Sequence, residues 1–393
     1  MRPGRAVAAA PEDGERQRMP WHYFQATHRA HVQWPLLDVK KLGDKLCVLR
    51  RAHHVLTCLQ HFYIHSLPPS QSTGQIIIPK PLAVPLVAVS LKVKLPPVLT
   101  FADIVLWNWE YINPEQPLSL KNMRYVNLFS GTDTENNFYL LSAAAELKGV
   151  EMLRIFERVL NMPCQNQLQP SMIAALKRDF EQLVKIINEL TIIMSPGDVS
   201  KSVDPHTFYW VVRPWWNGSG AAAPWVFEGV PPTTFDLGGA SAGQSSVMHA
   251  LDAFLDVDHA LRQSRQPAPN AENRQADTGF MEKMRRYMPS EHREYLTQLQ
   301  RRHVRDLVLR TPALRDHYNA TVDALKKFRD IHIRIGTLFI ISQARTTPPA
   351  SMGMPDISPE AAESRAKGTG GNPVSILLKA GRDATKRTML QNE

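Results

Sequence analysis

The stretch FRDIHIRIGTLFIIS, Phe328 to Ser342, continues the apolar spacing of a helix that begins near Leu314. Phe328, Ile335, Gly336 and Phe339 make one face of it. On that face stand Arg329 and, three residues later, His332, the one histidine of the stretch. Residues three and four apart meet on a helix surface, so an imidazole and a guanidinium sit one turn apart on an otherwise apolar stripe. A histidine so placed is either satisfied by a nearby carbonyl or kept for a ligand.

Other helices follow outward from this one. SMIAALKRDFEQLVKIINELTIIM repeats apolar residues by threes and fours at Ile173, Leu176, Phe180, Leu183, Ile187, Leu190 and Met194, and SPGD ends it. FYLLSAAAELKGVEMLRIFERVLN is apolar over its first half, as a central helix would be. GQSSVMHALDAFL offers Ser245 or Ser246 as a natural N-cap. Between Ile76 and Pro97 five prolines interrupt an apolar run, which predicts an extended path across a surface rather than a helix. The fold class is mostly α with minor β. Residues 1–20 read as a disordered tail, 21–129 as a small N-terminal domain and 130–393 as a large helical domain. That domain contains a mobile loop at about 344–371, the long proline-bearing stretch ahead of KGTGG.

Composition excludes several classes. Of 393 residues 43% are hydrophobic and 21% charged, which fits neither a disordered chain nor a membrane protein, and no apolar run approaches a bilayer span. The formal charge of +9 is dispersed among apolar residues, as on solvated helix faces, so no nucleic-acid partner is expected. Cys47, Cys58 and Cys164 are widely spaced, which suits a reducing compartment.

Several motifs carry less than they promise. KGTGG reverses the order of a phosphate-binding loop, and GGASAG lacks both the strand and the spacing of a dinucleotide fingerprint or a nucleophile elbow. His54, Cys58, His61 and His65 share one helix face. A rigid helix cannot converge all four on one ion, and the plainer expectation is a helix that buries Val55, Leu59 and Phe62 with its histidines at the rim. His332 has the stronger context. A haem needs an axial imidazole, a flat apolar surface and a cation near its propionates, and Arg329, His332, Ile335 and Gly336 offer these in order, Gly336 leaving room one turn on. Arginine suits a propionate because it stays charged and offers forked donors.

From about residue 45 to the C-terminus the chain resembles the indoleamine 2,3-dioxygenase family. The likeness is carried, in family order, by LAVPLVAVSLKVKLPPVLTFADIVLWNW, FYLLS…E, DPHTFYWVVRPWWNG, VFEGV, GGASAGQSS, MRRYMP, FRDIHI and KGTGG. The resemblance implies haem b with His332 as proximal iron ligand, Arg329 on the propionate side, and Asp252 orienting the arginine or the histidine. It implies a distal pocket from Phe138 and Ser142, a substrate segment with Phe208, Tyr209 and Arg213, Ser241 and Ala242 over the haem, and Thr369 in a flexible lid. Phe101 stands where some relatives carry tyrosine and Ile104 where some carry cysteine; both changes keep the pocket apolar.

The implied reaction inserts both atoms of O₂ across the indole C2–C3 bond of L-tryptophan or a related indoleamine. It gives N-formylkynurenine on the kynurenine route to NAD, with no residue acting as acid or base. The implied protein is a cytoplasmic monomer, bound to no membrane, served by an electron donor that keeps iron ferrous. The alternative is a haem-binding paralogue, a sensor or scavenger with weak or lost turnover. A basic helical binding module without cofactor is the third reading, and the dispersed charge argues against it.

Overall fold

The structure is a computed structural model that describes residues 34–65, 67, 74–163, 167–220, 223–349, 367–369 and 373–391. The expected N-terminal tail, Cys164 and most of the expected loop at 344–371 lie outside the described residues.

Eight helices of ten or more residues are present among the described residues, with four three-residue strands. In chain order they are α1 (Leu46–His65), β1 (Ile76–Ile78), α2 (Lys80–Val93), β2 (Trp109–Tyr111), β3 (Met123–Tyr125), α3 (Asp133–Leu160), α4 (Pro170–Ile193), β4 (Trp225–Phe227), α5 (Ser246–Leu255), α6 (Ser290–Gln300), α7 (Arg315–Gly336) and α8 (Val374–Lys386). The fold is mostly α, as expected. β1 pairs in parallel with β4, and β2 with β3 antiparallel.

α7 lies between α4 and α8, while α3 packs on α4 and α5, and α5 on α6. The predicted spacing in α4 is realised: Leu176, Phe180, Leu183, Ile187 and Leu190 are all buried against Tyr318, Val322 and Leu325 of α7 and Phe254 of α5. Pro170 in its first turn needs no hydrogen-bond acceptor and presets the backbone. α7 runs to Gly336 and then winds on as a π turn, Thr337–Ile341. Ser245 is the N-cap of α5, but its hydroxyl donates to Glu146 of α3 at 2.5 Å instead of capping the helix.

Two expectations fail. The proline-rich run is a helix, α2, for an identifiable reason. Pro79 is its N-cap and Pro81 lies in the first turn, where no amide hydrogen is needed, while Pro96 and Pro97 follow its end. Pro85 alone is internal and removes one bond. Against that single loss the helix buries Leu82, Ala83, Leu86, Val89 and Val93.

α1 is the second correction, since its histidines face inward. Val55 is exposed, whereas His53, His54 and His61 are fully buried and His65 half-buried. His54 Nδ1 donates to the Asp103 carbonyl at 2.8 Å and its Nε2 accepts from Asn127 at 2.7 Å. His61 Nδ1 donates to the Trp215 carbonyl at 2.8 Å and Nε2 accepts from Leu99 N at 3.2 Å. Apolar spacing does not reveal such a face, because each ring is buried through its own hydrogen bonds.

His53 differs from these. Its Nδ1 meets the Asp103 carboxylate at 2.8 Å and its Nε2 the Pro96 carbonyl at 3.2 Å. Both neighbours are acceptors, so the ring is an imidazolium. Burial opposes its charge, but Asp103 outweighs burial and the pKa is raised, while that of Asp103 is lowered against its own burial. Asp103 also accepts from the Thr100 amide at 2.9 Å and hydroxyl at 2.7 Å, which fixes the turn carrying Phe101 and Ile104.

Asp103→Asn should therefore lower stability by about 3 kcal/mol, the usual scale for breaking a buried pair. The His53 contribution is fully present below the unfolded histidine value and is lost as pH rises through the raised folded value. Denaturant melts across about pH 5 to 9 should show the wild-type loss above roughly 6.5 and a flatter profile in the variant. Equal slopes in the two proteins would contradict the charged pair.

Candidate functional site

The site has a proximal half built on α7. His332 is half-buried and its ring stacks on Phe328, with centroids 6.4 Å apart and planes at 24°. Burial and the adjacent Arg329 bring its pKa down to about 4, so the ring is neutral at pH 7. Neither of its nitrogens has a hydrogen bond among the described residues. Every other buried or half-buried histidine there has a hydrogen-bond or ion-pair partner. A neutral, unpartnered imidazole with a free lone pair is the donor that a haem iron takes. The residues present fit that group.

Arg329, one turn earlier, is committed within the protein. Its Nη2 donates to both Asp252 oxygens, at 2.5 and 2.7 Å, and its Nη1 to the Gly381 carbonyl at 3.0 Å and to the Thr385 hydroxyl. One guanidinium thus ties α7 to α5 and α8. Asp252 also accepts from His259 Nε2 at 2.7 Å. Burial would raise the Asp252 carboxyl, but Arg329 and His259 hold it well below the usual carboxylate range. Asp252 therefore orients the arginine and makes no bond to His332. The room expected beside Gly336 is filled by α8: a Cβ there would meet Leu378 Cδ1 at 2.7 Å and Val374 Cγ1 at 3.3 Å. This glycine serves close helix packing.

The distal half is aromatic. Phe138 of α3 and Phe208, in a π turn at Phe208–Val212, have centroids 4.8 Å apart, and Trp216 lies 5.1 Å from the first and 5.7 Å from the second. Phe339 meets Phe208 edge-on at 5.6 Å. Phe101, Ile104 and Ala240 are buried in the same cluster, with Ile335, three residues beyond His332, packed against it. α7 and its π turn are thus continuous with both halves. Ser142 Oγ donates to the Phe138 carbonyl at 3.0 Å. α3 is fixed at its start by Glu135, which accepts from the amides of Phe129 and Ser130 and from the Tyr139 hydroxyl at 2.7 to 2.8 Å.

Three loops complete the site. Gly218 and Gly239 bring two of them into backbone contact, for a Cβ on Gly239 would fall 2.0 Å from the Trp216 carbonyl and one on Gly218 1.9 Å from that of Leu237. Residues 367–369 lie on this junction. The Thr369 hydroxyl donates to the Ala240 carbonyl at 2.6 Å, and its own carbonyl accepts from Gly239 N at 3.3 Å. Arg213 reaches the same segment by donating to the Lys367 carbonyl, and its guanidinium stands 5.3 Å over the Tyr209 ring. Burial lowers its pKa, and it makes no ion pair with a carboxylate among the described residues. A half-buried cation left without a counter-charge is a ready anion clamp.

The sequence-predicted residues therefore gather in two sets. His332, Arg329 and Asp252 form one; Phe138, Ser142, Phe208, Phe101, Ile104, Arg213 and Thr369 surround the other. Tyr209 packs with Trp210 and Ala344 in a separate small cluster and reaches the site through Arg213. Ser241 caps a 3-10 turn by accepting from Gly243 N at 3.2 Å, and Ala242 is exposed.

Sequence reasoning missed three contributors. Trp216 completes the aromatic wall, and the pair of tryptophans after Arg213 was a usable signal. Gln244 accepts from Phe101 N at 2.8 Å and donates to the Gly239 carbonyl at 2.9 Å, joining two walls. His259 follows α5 with no spacing rule to mark it.

The family model for indoleamine 2,3-dioxygenase matches residues 17–388. The chain is 32% identical to indoleamine 2,3-dioxygenase 2 of Mus musculus, over 95% of this chain and 87% of that protein. It is 29% identical to indoleamine 2,3-dioxygenase of Saccharomyces cerevisiae, over 91% and 82%. It is also 28% identical to a protein named myoglobin from Haliotis madaka, over 92% and 88%. On the match of nearly its whole length, the chain belongs to the indoleamine 2,3-dioxygenase family, whose members are haem-dependent oxidoreductases.

Proposed function

We propose that this protein holds haem b on His332 and inserts both atoms of O₂ across the indole C2–C3 bond of L-tryptophan. The product is N-formylkynurenine, the first step of the kynurenine route to NAD. The observation that carries the reading is the half-buried, neutral His332, which has no hydrogen bond among the described residues, in one structure with an Arg213 that has no carboxylate partner among them.

Haem, when bound, supplies the redox chemistry by which dioxygen reacts with the indole. The chain's own residues bind and orient. Arg213 takes the substrate carboxylate in a forked pair that also fixes the angle of the ring. Phe138 and Phe208 pack on the indole, with Trp216 behind them. Thr369 gives its proton to the Ala240 carbonyl, so its oxygen keeps lone pairs for the substrate ammonium. Ser142 spends its proton on the Phe138 carbonyl, so its hydroxyl is not directed at the substrate, and no residue of this wall is assigned a role as acid or base. The aromatic wall excludes bulk water.

A smaller N-terminal unit to about residue 129, a monomeric state, a cytoplasmic setting and a separate reductant for the iron belong to the same reading. Among the described residues no helix is long and apolar enough to cross a membrane. A second reading, a haem carrier with weak turnover, is favoured by the relative named myoglobin and by the Lys367 carbonyl, which occupies the Arg213 donor that the substrate needs.

Two variants test the proposal. His332→Ala should purify folded but without the Soret band, and a band of wild-type intensity would refute the ligand. Arg213→Ala should keep the band yet lose about 100-fold or more in kcat/KM for tryptophan, the worth of two charge-assisted hydrogen bonds. Unchanged kcat/KM would refute the clamp. A wild-type protein with a full band and no N-formylkynurenine would select the carrier.

A further inference from the structure

A hollow shares no lining residue with either set of site residues, although Val105 and Ala143 in its wall adjoin Ile104 and Ser142. It has a volume of about 530 Å³ and opens between α3, α5, α6 and the β2–β3 hairpin, with Trp109, Met123, Leu147, Val150, Val247 and Leu296 among its walls. That size lies within the range of small-molecule sites, and the walls are overwhelmingly apolar.

Its carboxylates have no cation in the wall. Glu146, Glu157 and Glu291 line it beside Ser246, His292 and Tyr295, and among the described residues no lysine or arginine does, in a chain of formal charge +9. Glu291 is exposed and paired with Arg50 at 3.0 Å. His292 gives no counter-charge, since burial lowers its pKa and its Nδ1 bonds the Ser246 hydroxyl at 2.8 Å. Glu146 is the informative group. One of its oxygens accepts from Ser245 at 2.5 Å, and the other has no hydrogen bond among the described residues. Burial raises its pKa to about 7, which marks a carboxylate short of a cation.

We propose that this hollow is a binding site for a hydrophobic amine, whose ammonium pairs with Glu146 while its apolar body fills the space bounded by Trp109, Leu147, Val150 and Leu296. An anion would meet Glu146 and Glu157 with no cation in the wall beside them, and a neutral apolar molecule would cover the second Glu146 oxygen without giving it a partner. A hydrophobic ammonium satisfies both the walls and the charge. The inference is independent of the haem reading.

The test is calorimetric titration of the purified full chain with dansylcadaverine, a primary amine on an aromatic body, and with its uncharged N-acetyl derivative. The amine should bind with 1:1 stoichiometry and the acetyl derivative about 10-fold or more weakly. Glu146→Gln, which keeps shape and removes charge, should weaken the amine by a similar factor. Val150→Trp, at an exposed position of the wall, should abolish binding. Arg213→Ala and His332→Ala should bind as the wild type does, which separates this site from the proposed haem chamber. No heat with the wild type, equal binding of the two probes, or wild-type binding by both Glu146→Gln and Val150→Trp would overturn the proposal.

Discussion

The forked pair between Arg329 and Asp252 is the constraint on which the proximal half depends. A guanidinium 12% exposed and a carboxylate 5% exposed share two short bonds, and the arginine's remaining contacts reach α8. Such a pair is costly to bury and costlier to break, so its first effect is to fix where three helices stand. Asp252 is taken up by Arg329 and His259, and no bond joins it to His332. The half-buried imidazole, one turn along the same helix, is neutral and has no hydrogen bond among the described residues. His259 on the far side of Asp252 extends the network toward solvent.

The distal half is held by different physics. Aromatic packing positions Phe138, Phe208 and Trp216, and two glycines allow the loops that carry Trp216 and Ala240 to touch backbone to backbone. Thr369 seals that contact with two hydrogen bonds. Arg213 projects from this wall with the Lys367 carbonyl and the Tyr209 ring as partners and, among the described residues, no carboxylate to balance its charge. Both halves meet along α7 and its π turn, through Ile335 and Phe339.

How much of this was legible in the sequence depends on the interaction. α3, α4 and α7 are stabilised by apolar stripes, and a stripe can be read from spacing alone. The placing of Ser245 ahead of α5 was legible too, though not that its hydroxyl serves Glu146. In the proline-rich run the position of each proline matters more than their number, and only Pro85 falls where a bond is lost. α1 misled because its inner side mixes Leu49, Leu56 and Ile64 with four histidines, each paired with a partner from 38 to 154 residues away, which leaves no local pattern. Gln244 escaped for the same reason, its bond to Phe101 spanning 143 residues, whereas His259 lies only seven residues from Asp252 but beyond the end of α5, where no helical spacing applies. His332 was legible from its setting on α7, whereas the roles of Phe138, Arg213 and Thr369 came from resemblance, since no spacing rule joins residues so far apart in the chain.

The central claim is that an open imidazole on α7 is the group that takes iron. Replacing His332 with glycine and adding free imidazole tests it most directly, because the small molecule can occupy the space that the side chain leaves. The account predicts that His332→Gly takes up little haem alone and regains a five- or six-coordinate haem spectrum as imidazole is titrated in. Haem uptake by the glycine variant without imidazole, at the wild-type level and with the wild-type spectrum, would contradict it.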